Sequence, residues 1–205
     1  MYATFFAKGI APDETTGTDL WSTGITISAI LVALFSPFLG ALADKGGYRK
    51  RFLAIATMVC IAATIALYFP QKGQVYFAIT VFVIGNVAFE MANVFYNAFL
   101  PDIAPLEKIG RISGYGWALG YAGGLLCMVV GLFVLVQPDP PMFGLNADTD
   151  QPIRATNLLV AAWFAIFSIP MFWLVKDRTV ENPPPAKELM KGAMDDLKRV
   201  FRKIK

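Results

Sequence analysis

The chain has 205 residues, of which 56% are hydrophobic and only 16% are charged, and its formal net charge is +3. Soluble domains average about 25% charged residues, so this composition argues against a soluble globule and favours a membrane protein. The sequence contains no histidine, and its two cysteines, Cys60 and Cys127, lie inside apolar runs. Histidine-based catalysis and histidine metal sites are therefore excluded, and we expect no metal site, no cofactor and no nucleic-acid partner.

The N-terminal segment, residues 1–19, starts with the apolar and aromatic run MYATFFAKGI. This run is too short to cross a bilayer, which takes about 20 helical residues, and it lacks the basic start of a signal peptide. We interpret it as the outer end of a first helix whose beginning is missing.

Five apolar segments follow that are long enough to span a membrane as helices. Helices are expected because backbone polar groups find no water in the hydrocarbon core, and five isolated strands could not close a barrel. The predicted fold is an all-α membrane bundle over residues 20–175, with spans at residues 20–43, 52–69, 75–100, 114–136 and 157–175.

The segments between the spans differ in charge, and this difference predicts an orientation. One set of segments holds 15 of the 18 lysines and arginines, at residues 44–51, 101–113 and 176–205. The opposite set holds only Lys8, Lys72 and Arg154. Because basic loops face the cytoplasm, the chain is predicted to have its N-terminus outside and its C-terminus in the cytoplasm.

The last part of the chain, residues 176–205, is predicted to be a cytoplasmic linker with an amphipathic helix. Apolar residues recur at helical spacing among lysines and arginines, at Met190, Met194, Leu197, Phe201 and Ile204. Such a helix would lie on the inner membrane surface or against a partner. A linker helix with no binding role of its own fits the pattern equally well.

The third span carries an ionisable residue, Glu90, in an otherwise apolar helix. A charge is costly near the bilayer centre, so this side chain should face a bundle interior or an aqueous cavity. Asn86, Asn93 and Asn97 share its helix face. One interpretation is a pathway in which the asparagines bind substrate and Glu90 exchanges a proton or contacts a substrate amine. The other is structural, because such residues also join membrane helices through hydrogen bonds.

The fourth span begins with a cluster of glycines. Gly116, Gly120 and Gly124 are spaced so that a neighbouring backbone can approach closely, and packing is their expected role. Trp117 and Tyr121 share one face of the same helix and are candidates for a cavity wall.

The loop after the first span reads GALADKGGYRKR over residues 40–51. Two glycines permit a tight reversal, Asp44 can interact with the positive end of a neighbouring helix, and the basic residues can face anionic headgroups. The string resembles the G-x-L-A-D-[RK]-x-G-[RK]-[RK] loop of the major facilitator superfamily. Tyr48 replaces a basic residue, and Arg49 and Lys50 follow one position late, but six positions match in place: Gly40, Leu42, Ala43, Asp44, Lys45 and Gly47.

A second stretch, FYNAFLPDIAPLEKIGRISGYGWALGYAGG over residues 95–124, resembles the vacuole-effluxer-like branch of that superfamily. Its members are relatives of autophagy-linked vacuolar amino-acid exporters and also occur in bacteria. The resemblance implies that the spans correspond to helices two to six of a twelve-helix transporter, whose two halves alternate access to a central site. It also implies that Asp44, Arg49 and Lys50 help to hold an inner gate closed and that residues 176–205 form the central linker.

The chain departs from this pattern in three respects. It lacks most of the first helix, the whole second half, and the arginine that many proton-driven members carry in the third span. We therefore expect a fragment or a separately encoded half that pairs with a missing six-helix half.

The leading functional hypothesis is a component of a secondary transporter in a bacterial inner membrane. Its solute would be small and polar, and the resemblance implies amino acids. A membrane enzyme is disfavoured because Glu90, Asp102 and Glu107 form no catalytic constellation. The alternative that stays open is a non-transporting membrane scaffold or truncated remnant that pairs with another membrane subunit.

Overall fold

The computed structural model describes residues 2–177 and the isolated positions 188, 191, 192 and 194. Within this part of the chain the regular structure is entirely helical. The helices are α1 Tyr2–Phe5, α2 Glu14–Gly46, α3 Arg49–Ala66, α4 Val75–Asn97, α5 Leu100–Ile103, α6 Ile109–Val130 and α7 Gln151–Leu174. Two π-helical turns continue helices, Phe6–Ile10 after α1 and Gly131–Val136 after α6. The predicted amphipathic helix of the tail lies outside the described residues, apart from those isolated positions.

The five long helices α2, α3, α4, α6 and α7 form at the five predicted spans. α2 starts at Glu14, earlier than residue 20, because Asp13 provides an N-cap that extends the helix outwards. The Asp13 carboxylate accepts hydrogen bonds from the Thr16 amide at 2.9 Å and from the Thr16 hydroxyl at 2.7 Å. These bonds hold the pKa of Asp13 below its usual value. Such a cap is visible in the sequence as an acid ahead of a helix.

Four helical stretches of the described chain are long and apolar enough to cross a membrane, which confirms the all-α membrane fold: Glu14–Ala43, Val75–Ile103, Leu106–Val136 and Gln151–Leu174. α3 is not among them, so the expectation of five spans exceeds this number by one. The physical reason is that α3 has only 18 residues and opens with three basic ones, Arg49, Lys50 and Arg51.

Packing is concentrated on α4, which lies against both α2 and α3, while α3 also packs against α7. Two apolar clusters hold the bundle at opposite ends. The first includes Ala43, Leu53 and Phe95, and the stacked rings of Phe52 and Phe95 lie 5.5 Å apart. The second joins the N-terminal segment to the start of α4 through Phe5, Phe6, Ile10, Val75 and Ala78.

α6 lies at the margin of this bundle. It reaches α7 mainly through the π-helical turn Gly131–Val136, and Cys127 is the single buried residue within the helix. A Cβ added at Gly120 or Gly124 would meet nothing within 4 Å, and one at Gly116 would lie 3.6 Å from the Tyr96 hydroxyl. The packing expected of these glycines is therefore not supplied by the described helices.

Candidate functional site

An open groove of about 520 Å³ runs between α2 and α4. The two helices run in the same direction. Trp21 lies beside Phe82 near their beginnings, and Gly40 lies beside Val94 near their ends. The groove is lined by residues of both helices: Trp21, Ile25, Ala29, Val32, Ala33, Phe82, Asn86 and Glu90.

One end of the groove is closed by aromatic rings. The ring centroids of Trp21 and Phe82 lie 3.9 Å apart with an interplanar angle of 32°. The Trp21 ring centroid also lies 5.3 Å from that of Phe6 and 6.0 Å from that of Tyr2, so the N-terminal segment packs against this end of the groove. The groove is thus aromatic at the end near the start of both helices and polar further along α4.

Asn86 connects α4 to α2. Its side-chain nitrogen donates to the Ser28 hydroxyl at 2.8 Å. Ser28 is fully buried, and its hydroxyl donates to the carbonyl oxygens of Gly24 at 3.0 Å and Ile25 at 2.9 Å. Because the single hydroxyl hydrogen is used by the backbone, Ser28 can only accept from Asn86, and no described residue donates to the Asn86 oxygen. Asn86 therefore joins two helices and lines the groove as well.

Glu90 stands one helical turn beyond Asn86 on the groove wall. Among the described residues, no hydrogen bond or ion pair involves its carboxylate, and no lysine or arginine lines the groove. The groove therefore carries one acidic group that the described part of the chain does not neutralise.

The other predicted pathway residues lie elsewhere. Asn93 is half-buried and Asn97 is exposed, and neither lines the groove. Trp117 and Tyr121 on α6 contact each other, with ring centroids 5.9 Å apart, and both are exposed away from the groove. The structure thus brings Asn86 and Glu90 together and leaves the other four apart.

Sequence reasoning missed the α2 side of the groove. Ile25, Ala29 and Ala33 lie four residues apart along α2 and line the groove. The two alanines form the small-residue part of the wall that includes Glu90 on α4. The spacing can be seen in the sequence, but it is the same as in ordinary packing of membrane helices, and none of the three residues is polar, so nothing indicates a groove.

The loop between α2 and α3 turns sharply at Gly47, which has a φ of 67°. This left-handed conformation favours glycine, and it lets the Tyr48 amide donate to the Ala43 carbonyl at 3.1 Å. Gly40 lies about two helical turns earlier, where an added Cβ would be 3.7 Å from Val94. The side chains of Asp44 and Lys45 lie outside what the structure describes.

Arg49, at the start of α3, forms an ion pair with Asp102 in α5. The Nη1 to Oδ2 distance is 2.7 Å, and the two side chains are only 12% and 16% exposed. Asp102 was noted in the sequence only as an acid of the inner loop. Its pairing could not be found there, because 53 residues separate the partners.

Lys50 ties the same end of α3 to the end of α7. Its Nζ donates to the Val175 carbonyl at 2.7 Å, and its backbone amide donates to the Asp177 carboxylate at 3.1 Å. A cation therefore meets the carboxyl end of α7 while an anion meets the amino end of α3, and both suit the helix dipoles.

Arg154 occupies the equivalent position at the other end of the α3–α7 pair. It is 7% exposed. Its guanidinium donates to the carbonyl oxygens of Tyr68 at 2.6 Å, Phe69 at 3.3 Å and Thr149 at 3.5 Å, and it lies 5.0 Å from the centre of the Tyr68 ring. The sequence marked Arg154 only as one of the few basic residues on its side of the membrane.

A family model described as "Vacuole effluxer Atg22 like" matches residues 20–205. The chain belongs to that family. The resemblance read from the loop at residues 40–51 and the stretch at residues 95–124 is thereby confirmed. Together with the apolar helices, it makes the chain an integral membrane protein.

Similar proteins within and around the family come from bacteria and fungi. "Uncharacterized MFS-type transporter YxiO" of Bacillus subtilis is 28% identical over 154 residues, which cover 75% of this chain and 36% of that protein. "Autophagy-related protein 22" of Saccharomyces cerevisiae is 25% identical over 171 residues, covering 76% of this chain and 30% of the relative. An "Uncharacterized protein" of Aquifex aeolicus is 26% identical over 174 residues, covering 77% and 44%.

The matched region amounts to about a third of the Bacillus and Saccharomyces relatives, at 36% and 30% of their lengths. No solved structure matches the chain significantly.

Proposed function

We propose that the chain is a component of a secondary transporter that moves a small polar solute, with amino acids as the first candidates, by alternating access. The observation that carries the proposal is the groove between α2 and α4, where Asn86 and the unpaired carboxylate of Glu90 face an otherwise apolar wall. Membership of the effluxer-like family supports it, as does the MFS-type transporter name of the Bacillus relative.

The groove needs an opposite wall to become a pathway. In two-half transporters the solute site lies between the halves near the midplane. We assign residues 20–175 to one such bundle, residues 1–19 to the outer segment with the end of a first helix, and residues 176–205 to the cytoplasmic linker. A second six-helix half then supplies the opposite wall, in keeping with relatives about three times as long as the matched region.

The orientation that fits this function places the N-terminus outside and the C-terminus in the cytoplasm of a bacterial inner membrane. Arg51 at the start of α3 and the exposed basic residues Lys108 and Arg111 then face the inner leaflet, where anionic lipids attract them. The bacterial origin of the Bacillus relative supports the assignment to a bacterial membrane.

The end of the bundle at Arg49 then serves as the inner gate. The reversal at Gly47 sets Arg49 beside Asp102, and Lys50 beside the carboxyl end of α7. These contacts join the loop at residues 40–51 to α5 and α7. Breaking them would free α2 and α3 to move relative to α7 during alternating access.

The experiment that tests the proposal is counterflow in liposomes. The purified chain is reconstituted alone, and together with the part of the Bacillus relative that lies beyond the matched region, in liposomes loaded with unlabelled leucine. Labelled leucine should accumulate above protein-free liposomes, and Glu90→Gln should lower the initial rate. Glu107→Gln, an exposed acid outside the groove, is the matched control. Absence of accumulation in both preparations contradicts the proposal.

A second candidate, a non-transporting membrane scaffold, is favoured by one observation. The face of α6 that carries Gly120 and Gly124 is open, and Trp117 and Tyr121 beside it are exposed. Such a face suits close docking of another membrane helix. A scaffold would bind its partner subunit through α6 but leave leucine counterflow at the level of protein-free liposomes.

A further inference from the structure

The groove has a net charge that distinguishes between kinds of solute. Within the described part of the chain, Glu90 is its one ionisable lining residue and no cationic side chain lines it. A cation entering the groove would therefore meet an opposite charge, whereas a carboxylate or phosphate would meet a like charge. At membrane depth such a difference is large, because the low dielectric strengthens both attraction and repulsion.

The neutral polar atoms of the groove also favour a cationic solute over an anionic one. Asn86 uses its amide nitrogen on Ser28, so its oxygen is an available acceptor. Residues four apart on a helix are neighbours, so this oxygen and the Glu90 carboxylate lie on adjacent turns. Trp21, whose indole N–H is a donor, lies beside Phe82 at the far aromatic end. Two neighbouring acceptors without a neighbouring cation suit a group with several N–H donors.

The apolar part of the groove limits the size and shape of the solute. Phe82 and Glu90 are eight residues apart on α4, or about 12 Å along the helix. Beyond Trp21, the α2 wall consists of Ile25, Ala29, Val32 and Ala33. This length accommodates a small molecule with a polar head at Glu90 and an apolar body that extends towards the Trp21 and Phe82 rings.

We propose that the groove binds the primary ammonium group of an amphipathic solute, with the ammonium at Glu90 and Asn86, the apolar body along α2, and no recognition of a carboxylate by this wall. The inference rests on the proposed function, since it names what the same groove recognises. It assigns to Glu90 one of the two roles that the sequence left open, contact with a substrate amine.

The test is a calorimetric titration of the purified chain in lipid nanodiscs with three probes that share one apolar body. Isoamylamine carries only the ammonium, 4-methylpentanoate carries only the carboxylate, and leucine carries both. We expect isoamylamine to bind, 4-methylpentanoate to show no binding over the same range, and leucine to bind no more tightly than isoamylamine. Glu90→Gln should weaken isoamylamine by about tenfold or more, the effect of losing a charge-assisted contact. Glu107→Gln should leave binding unchanged.

Three results would overturn the inference: no binding of isoamylamine to the wild-type chain, equal binding of isoamylamine by Glu90→Gln, or binding of 4-methylpentanoate as tightly as the amine. Its failure is separable from failure of the proposed function. Counterflow of leucine that is insensitive to Glu90→Gln would keep transport and refute amine recognition at Glu90. Amine binding that depends on Glu90 without any counterflow would keep the recognition and refute transport.

Discussion

The two ends of the α3–α7 pair are fastened by different chemistry. At one end, Arg49 and Asp102 form an ion pair between two side chains, Lys50 Nζ donates to the Val175 backbone carbonyl, and the Lys50 amide donates to the Asp177 carboxylate. At the other end, the buried guanidinium of Arg154 donates hydrogen bonds to the backbone carbonyl oxygens of Tyr68 and Phe69, just beyond α3. The Arg49–Asp102 ion pair can separate by rotamer changes of two side chains, whereas the Arg154 guanidinium is held by three backbone carbonyl oxygens at once. We therefore expect the Arg49 end to separate more readily than the Arg154 end, and we call them the releasable end and the permanent end.

The largest expected effect is at the permanent end. Arg154→Ala should lower the free energy of unfolding by about 3 kcal/mol, because it removes a buried guanidinium that donates to the part-buried carbonyls of Tyr68 and Phe69. Chemical denaturation in detergent micelles measures this. Arg111→Ala, which removes an exposed arginine, is the matched control. Equal stability of the two variants would remove the distinction between the ends.

A smaller effect is expected at the releasable end. Arg49→Gln should cost about 2 kcal/mol, between the values for exposed and fully buried ion pairs, since both side chains are only slightly exposed. The same denaturation experiment checks it. The exchange of charges in Arg49→Asp with Asp102→Arg should recover part of the loss. If the double variant is no more stable than Arg49→Gln, the ion pair is not what holds this end.

The contact of Asp177 with α3 should be weaker still. Asp177→Ala removes the carboxylate that accepts from the Lys50 amide, and losing such a cap costs about 1 kcal/mol. Lys176→Ala, an exposed neighbour, should cost less than half as much. Comparison of thermal midpoints of the two variants measures the difference, and identical midpoints would argue that the acid does not cap the helix.

The smallest effect on stability is expected on α6, which lies outside the α3–α7 pair. Gly120→Ala on α6 places its methyl group in open space and should raise stability by at most about 0.5 kcal/mol through helix propensity. Gly85→Ala on α4 is the matched contrast, because its Cβ would lie 3.1 Å from that of Ala63 and should lower stability. A clear loss for Gly120→Ala in the membrane would indicate that a partner helix covers α6.

Much of the helical framework was predictable from the sequence. Apolar length set the positions of the five long helices, and the glycines of the loop at residues 40–51 predicted a reversal that the structure places at Gly47. The limits of prediction show at α3, where three basic residues within 18 leave too little apolar length for a clear membrane span. They also show at α2, where the cap at Asp13 moved the helix start outwards.

The polar stripe on α4 was predictable only in part. Helical periodicity correctly puts Asn86, Glu90, Asn93 and Asn97 on one face, but periodicity does not say how far along that face a neighbouring helix leaves a groove. The separation of α2 from α4 decides this, and it admits only Asn86 and Glu90. Trp117 and Tyr121 lie apart for a similar reason, because α6 packs against α7 rather than along the groove.

The sequence by itself determined the membrane environment, the helices and the family, since hydrophobic length and local motifs are readable along one chain. Only the tertiary structure decided which distant residues meet: Asp102 with Arg49, Asp177 with α3, Arg154 with the end of α3, and the alanine wall of α2 with Glu90. These pairings depend on how the helices are arranged in three dimensions. The local rules that predict a helix carry no information on which partner lies across from it.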